Sequence, residues 1–333
     1  MKLKTHYKGK KYMKKRFGYK NAYNGRLFLL CWIAYFSTYI CRLNFSAVMP
    51  ELLGSGAFTQ SETAAVSSAF FICYGAGQLL SGVLCDKISA RLLIFAGVLF
   101  SGLSNLFIFL FSESYTALLV LWALNGIAQS LVWAPILKLA GDYYNEGEKV
   151  KFGVDISTTV PLGTLASYGV SLVTLLFAEW RYVFAVCGAL VIIAAVYWFI
   201  GTSGLKKIPK VENRMDEAIQ TAPTAISGKK FVKILLISGT AALMIPIAIQ
   251  GTLKDSVTQW IPTFLEGNYN MGTSLSLLLT MVLPVINVTG AYLAKALNKK
   301  LKNELATSAA FFGIAAAFLI LLMTAGTKIA VLA

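Results

Sequence analysis

Phe36-Ser-Thr-Tyr-Ile-Cys-Arg42-Leu-Asn-Phe-Ser-Ala-Val-Met-Pro50 sets an arginine deep inside an apolar run that begins at Leu27. The run is long enough to cross a bilayer. A guanidinium there costs about 2.5–3.5 kcal/mol on insertion scales, so such a residue faces a protein-lined or watery cavity. The pattern returns 212 residues on: Lys254 precedes Pro262 as Arg42 precedes Pro50, Leu265 repeats Leu53, and Asn298-Lys299 falls where Asp86-Lys87 stood. Two copies of one design, each with a cation at the same place, organise the chain.

Composition agrees with a membrane protein. At 57% hydrophobic, 14% charged and mean hydropathy +0.67, the chain is far more apolar than a soluble domain of its length. Apolar runs give nine spans, at about 27–49, 63–84, 92–111, 115–138, 152–177, 181–201, 238–264, 273–296 and 305–323. The net charge of +15 could point to nucleic acid, but its distribution argues otherwise. Of the 30 Lys and Arg, 26 fall in the segments 1–26, 86–91, 138–151, 203–233 and 295–304, all on one side of the membrane if the spans alternate. This is the positive-inside asymmetry; it places the N-terminus in the cytoplasm and leaves nucleic acid without a role. Residues 1–26, with ten Lys/Arg and no acid, read as a basic tail against the lipid headgroups. Ser112 should then be open to a label from outside and Ser227 closed to it.

The domains follow: the tail 1–26, a six-helix half over 27–202, a mixed-charge cytoplasmic linker over 203–233, and about three helices of a second half over 234–333. Pro209 and Pro223 mark the linker, and an amphipathic stretch is expected near Phe231–Ile237. Six spans plus three are an incomplete pair of halves, so the expectation is a C-terminally truncated chain that does not transport alone. The five cysteines lie in apolar context without a CxxC, and His6 is the one histidine. No nucleophile–base pair or metal cluster is legible, so neither an enzyme nor a cofactor is expected.

Between the second and third spans stands Gly82-Val-Leu-Cys-Asp86-Lys87-Ile-Ser-Ala-Arg91. It resembles the loop signature of the major facilitator superfamily at Gly82, Asp86, Lys87 and Arg91, with Ser89 replacing a glycine. The resemblance implies an all-α polytopic bundle, two six-helix halves, a central site between them, and a gating role for this loop.

A narrower resemblance surrounds the buried cations. Tyr35, Tyr39, Arg42, Asn44 and Phe45 look like the first-helix pattern of the organophosphate:phosphate antiporters. Trp133-Ala-Pro135-Ile-Leu-Lys138 resembles their fourth-helix pattern, and Lys254, Trp260, Pro262, Thr263 and Leu265 their seventh. Gln78 stands where the glycerol-phosphate member has a lysine, Gly251 where it has a tyrosine, and its fifth-helix histidine has no counterpart. The resemblance implies substrate contact by Arg42, Lys254, Tyr35, Tyr39, Trp133 and Gln78.

The residues point the same way. Tyr35, Tyr39 and Arg42 are three to four apart and share one helix face. The arginine fork suits a bidentate anion, and Lys254 adds a point charge. Adjacent side chains on a helix diverge, so Asp255 is not expected to pair with Lys254. Asp155 is read as a first-turn carboxylate of the fifth span. Gly126 and Gly163, among other small residues, offer surfaces for close helix contact.

The expected function is alternating-access transport of a small organic anion, a phosphorylated metabolite exchanged for inorganic phosphate, in the inner membrane and as a full-length monomer. Two other readings stay open: proton- or sodium-coupled uptake of a carboxylate such as a hexuronate, and a transporter-like membrane sensor of such an anion.

Overall fold

The structure, a computed structural model, describes Tyr19, residues 22–203, Ile237 and residues 240–324. Most of the basic tail, nearly all of the linker with Ser227, and the stretch 231–236 lie outside the described residues. The chain divides into two compact units, Met1–Met281 and Val282–Ala333.

The first unit is built from α1 (Ala22–Gly54), α2 (Gln60–Lys87), α3 (Ala90–Leu110), α4 (Tyr115–Tyr143), α5 (Glu146–Ser157), α6 (Thr159–Phe177), α7 (Arg181–Gly201), α8 (Thr240–Tyr269) and α9 (Thr273–Thr280). Six stretches are long and apolar enough to cross a membrane: Tyr23–Gly54, Gln60–Lys87, Ala90–Leu110, Tyr115–Tyr143, Glu146–Phe177 and Arg181–Gly201. They match the first six expected spans and make this an all-α polytopic membrane protein. Polar residues punctuate them: Thr59 and Glu62 form a capping box on α2, and Ser114 and Asn145 cap α4 and α5 with their side chains.

Prolines account for the interruptions. Pro161 has no N–H for the Ser157 carbonyl, and the expected fifth span breaks at Thr158 into α5 and α6. Pro284 likewise cannot serve the Thr280 carbonyl, and the helix breaks at Met281. The fifth span also starts earlier than its apolar run implies. Asp155 therefore lies near the end of α5 and not in a first turn, because the polar turns from Glu146 are helical too. There it pairs with Lys151 at 2.5 Å and accepts from the Tyr19 hydroxyl at 3.2 Å.

Within the first unit α2 packs on α4, α3 on α4 and α7, and α1 on α6, α7 and α8. The core is aromatic: Trp122 lies 5.0 Å from Phe45, 5.4 Å from Phe70 and 6.1 Å from Phe184, ring centre to ring centre. Two glycines set the closest approaches. A Cβ on Gly126 would stand 2.5 Å from the Phe70 carbonyl oxygen, and one on Gly163 would stand 2.6 Å from Tyr39 Cβ. Ser112 is buried at 3% exposure, against expectation, in the turn after α3; its neighbour Glu113 is the open position.

The second unit holds α10 (Val282–Leu301) and α11 (Glu304–Thr324). Lys302 turns between them at φ +50°, and the Asn303 side chain accepts from the Ala306 amide at 3.1 Å to start α11.

Candidate functional site

The site grows from a defect in α1. Cys41 departs from helical geometry (φ −92°, ψ 17°), and its carbonyl turns to side chains of α4. Asn125 donates to it at 2.7 Å and Gln129 at 3.1 Å. Both amides are fully buried, so each needs such partners. Ser101 on α3 donates to Asn125 Oδ1 at 2.6 Å and accepts from Gln129 Nε2 at 3.2 Å. Asn44 donates to Asn105 at 2.7 Å, which returns to the Ser101 carbonyl at 2.9 Å. A polar seam thus joins α1, α3 and α4 inside the apolar bundle.

Arg42 follows directly on the kink. Its Nε donates to Gln129 Oε1 at 2.9 Å. Its Cζ lies 4.5 Å from the centre of the Tyr74 ring, 4.9 Å from Tyr39 and 5.7 Å from Phe70. Aromatic faces stabilise a cation without supplying a counter-charge. Among the described residues no carboxylate lies within ion-pair distance of Arg42, and its buried Nη2 has no hydrogen-bond partner. A half-buried cation so held has capacity for an anion.

Tyr35 packs on Trp133 at 4.7 Å and stands edge-on to Tyr39 at 5.6 Å. Four expected residues, Tyr35, Tyr39, Arg42 and Trp133, therefore come together. Gln78 lies one turn beyond Tyr74 on α2, half-buried, and neither it nor Lys254 is hydrogen-bonded to Arg42 among the described residues. Lys254 Nζ lies 4.0 Å from Asp255 Oδ1. That pairing runs against the sequence expectation: both side chains are about half exposed, and flexible stems bridge the divergence of adjacent helix positions.

Lys254 and Arg42 are nevertheless related through their helices. The Ser46 hydroxyl, one turn after Arg42, lies 2.5 Å from the Gln259 carbonyl and 3.5 Å from that of Thr258, one turn after Lys254. Tyr168 on α6 donates to the same Thr258 carbonyl at 2.8 Å, and Gln259 Nε2 donates to Ser67 at 3.2 Å.

The loop residues divide by partner. Arg91 donates from Nε to Thr202 and from Nη2 to the Phe199 carbonyl, both at 2.8 Å, tying α3 to the end of α7. Exposed Asp86 pairs with Lys138 of α4 at 3.6 Å, and Lys138 also donates to the Cys85 carbonyl. Lys87 is exposed, and a Cβ on Gly82 would meet open space.

Asn125, Gln129 and Tyr74 escaped the sequence reading, though a signal existed. Asn125, Gln129 and Trp133 are spaced by four in an apolar span, and amides on one face of a membrane helix turn inward.

A bundle of membrane-length helices around a half-buried cation, with no carboxylate at ion-pair distance among the described residues, defines a polytopic membrane protein with a polar site in its interior. The chain belongs to the Major Facilitator Superfamily, whose family model matches residues 31–333. Members of this family are transporters, not enzymes. The chain is similar to the membrane sensor protein UhpC of Escherichia coli (27% identical, over 51% of this chain and 39% of that protein). It is also similar to a probable hexose phosphate transport protein of Chlamydia muridarum (26%, over 56% and 40%) and to the glycerol-3-phosphate transporter of Bacillus subtilis (26%, over 48% and 36%). These matches span about two-fifths of the relatives' length. Among solved structures, the fold is similar to a D-xylose–proton symporter (TM-score 0.62, 16% identical, 84% of this chain and 70% of that one). It is similar also to a bacterial homologue of the lysosomal transporter Spinster (TM-score 0.63, 16%, 84% and 62%).

Proposed function

We propose that the protein binds a small organic anion, a phosphorylated metabolite, at Arg42 and carries it across the inner membrane by alternating access in exchange for inorganic phosphate. The observation that carries this reading is Arg42 itself: a half-buried guanidinium with aromatic neighbours, no carboxylate among the described residues within ion-pair distance, and a buried, unpartnered Nη2. Tyr35, Tyr39, Trp133 and Gln78 line the anion's surroundings, and Lys254 supplies the second charge from the equivalent turn of α8. Two cations about one cavity repel when empty and are relieved by an anion, which favours crossing with cargo bound over crossing empty. The names of the Chlamydia muridarum and Bacillus subtilis relatives support a phosphate ester as cargo.

The halves are 27–202 and the helices from 234 onward, with the N-terminus cytoplasmic, the tail on lipid headgroups, and the protein working as a monomer. Gly82, Asp86, Lys87 and Arg91 gate the motion. The orientation is checked by an impermeant thiol label, which reaches Glu113→Cys from outside.

A second reading is favoured by one observation, the resemblance to a membrane sensor: the anion is bound and signalled without turnover. The test, made on a homologous chain with both six-helix halves, is counterflow of labelled hexose phosphate in proteoliposomes beside binding of the same compound to purified protein. Flux with binding supports the carrier. Binding without flux supports the sensor, and absence of binding overturns both.

A further inference from the structure

Gln129 is a fully buried amide whose two ends have been given different partners. Its nitrogen end meets three acceptors: the Cys41 carbonyl at 3.1 Å, Ser101 Oγ at 3.2 Å and Asn125 Oδ1 at 3.2 Å. A reversed amide would set its oxygen against two oxygens that cannot donate, the Cys41 carbonyl and Asn125 Oδ1, so the orientation is fixed. Asn125 reinforces it by donating to the same carbonyl. The oxygen end is thereby aimed at one donor, Arg42 Nε, at 2.9 Å. The carbonyl that starts this chain of contacts is available because α1 loses helical geometry at Cys41, one residue before the arginine.

A guanidinium offers an anion two forked edges, one between its Nη atoms and one along Nε. Here the Nε donor of the side edge is taken by Gln129, whereas the buried Nη2 has no partner. We infer that Gln129 is a positioning residue: it blocks the side edge of Arg42 and presents the terminal Nη edge to the anion, with the Cys41 kink and Asn125 holding Gln129 in turn. This rests on the proposed reading of Arg42 as the anion-binding group. A neutral acceptor suits the task because it orients the guanidinium without cancelling its charge. A carboxylate at the same place would pair with Arg42 and displace the anion.

The test uses the whole chain, purified, with inorganic phosphate as the probe. Phosphate affinity and melting temperature are read for the parent, Gln129→Met, Gln129→Glu, Arg42→Lys and the double substitution Arg42→Lys/Gln129→Met. Methionine keeps the volume and removes the acceptor. It should weaken phosphate binding about tenfold, the size of one charged hydrogen bond, and Gln129→Glu should weaken it more than Gln129→Met does. Lysine has no Nε edge to block, so in the Arg42→Lys background Gln129→Met should change affinity by less than about threefold, a coupling that a purely structural glutamine does not give. If Gln129→Met does not fold, Gln129→Asn, one methylene short of Nε, enters the same cycle. Equal losses in both backgrounds, or parental affinity in Gln129→Met, would overturn the inference while leaving Arg42 as the binding group. A parent that binds no phosphate would overturn the reading beneath it.

Discussion

Ser46 and Thr258 stand 212 residues apart, and the hydroxyl of the first lies 3.5 Å from the carbonyl of the second. That separation equals the offset between Arg42 and Lys254. The two helices that carry the repeated pattern therefore touch at equivalent positions, and each cation lies one turn, about 5.4 Å of rise, before the contact. An internal repeat read from spacing becomes a packing register in space.

A short thiol cross-linker should join Ser46→Cys to Thr258→Cys rapidly in membranes. It should not join Ser46→Cys to Gly251→Cys, about two turns away on α8. The reverse preference would place α8 in another register.

The loop between α2 and α3 separates structural from exposed charges. Arg91→Ala removes two charged hydrogen bonds to the end of α7 and should cost about 1.5–3 kcal/mol. Asp86→Asn removes an exposed ion pair, with Asp86 82% open, and should cost less than about 1 kcal/mol. Unfolding of the two variants in detergent checks this: equal losses would mean that Asp86 has a buried partner role the geometry does not give it.

The fold was largely legible because a bilayer enforces strong patterns: apolar runs of fixed length, with prolines at breaks. What escaped depends on side-chain geometry. No spacing announces that Cys41 leaves the helix, since Pro50 and not Cys41 is the residue that lacks an N–H. The seam of Asn44, Ser101, Asn105, Asn125 and Gln129 is spread over three helices, and only folding brings it together. Arg42 was found because one charge in an apolar run is conspicuous, whereas Gln129, the residue that holds it, is an ordinary amide in sequence. Asp155 was misplaced because the polar turns 146–151 carry no apolar signal and are helical all the same.

Glu51, Glu266 and Thr273 predict a pH dependence. The Thr273 hydroxyl lies 2.8 Å from one carboxylate and 3.0 Å from the other, and its single proton serves one of them. Glu266, beyond the apolar run 238–264, is held above its ordinary 4.5, first by burial and then by the charge of Glu51. An acid whose folded value is raised binds its proton more tightly when folded, so stability falls as pH rises from 4.5 through the raised value. The parent should lose stability relative to Glu266→Gln across that window. A difference that is flat with pH, or of opposite slope, contradicts the arrangement.

Whether Arg42 binds an anion is decided by the affinity of the purified chain for inorganic phosphate and hexose phosphate at fixed salt, before and after Arg42→Gln. Loss of the unpaired guanidinium should cost about 1.5–3 kcal/mol, roughly ten- to a hundredfold in affinity, for both anions. Lys254→Gln should act in the same direction. Unchanged affinity in both variants would make the two cations structural and leave Arg42 with no part in anion binding.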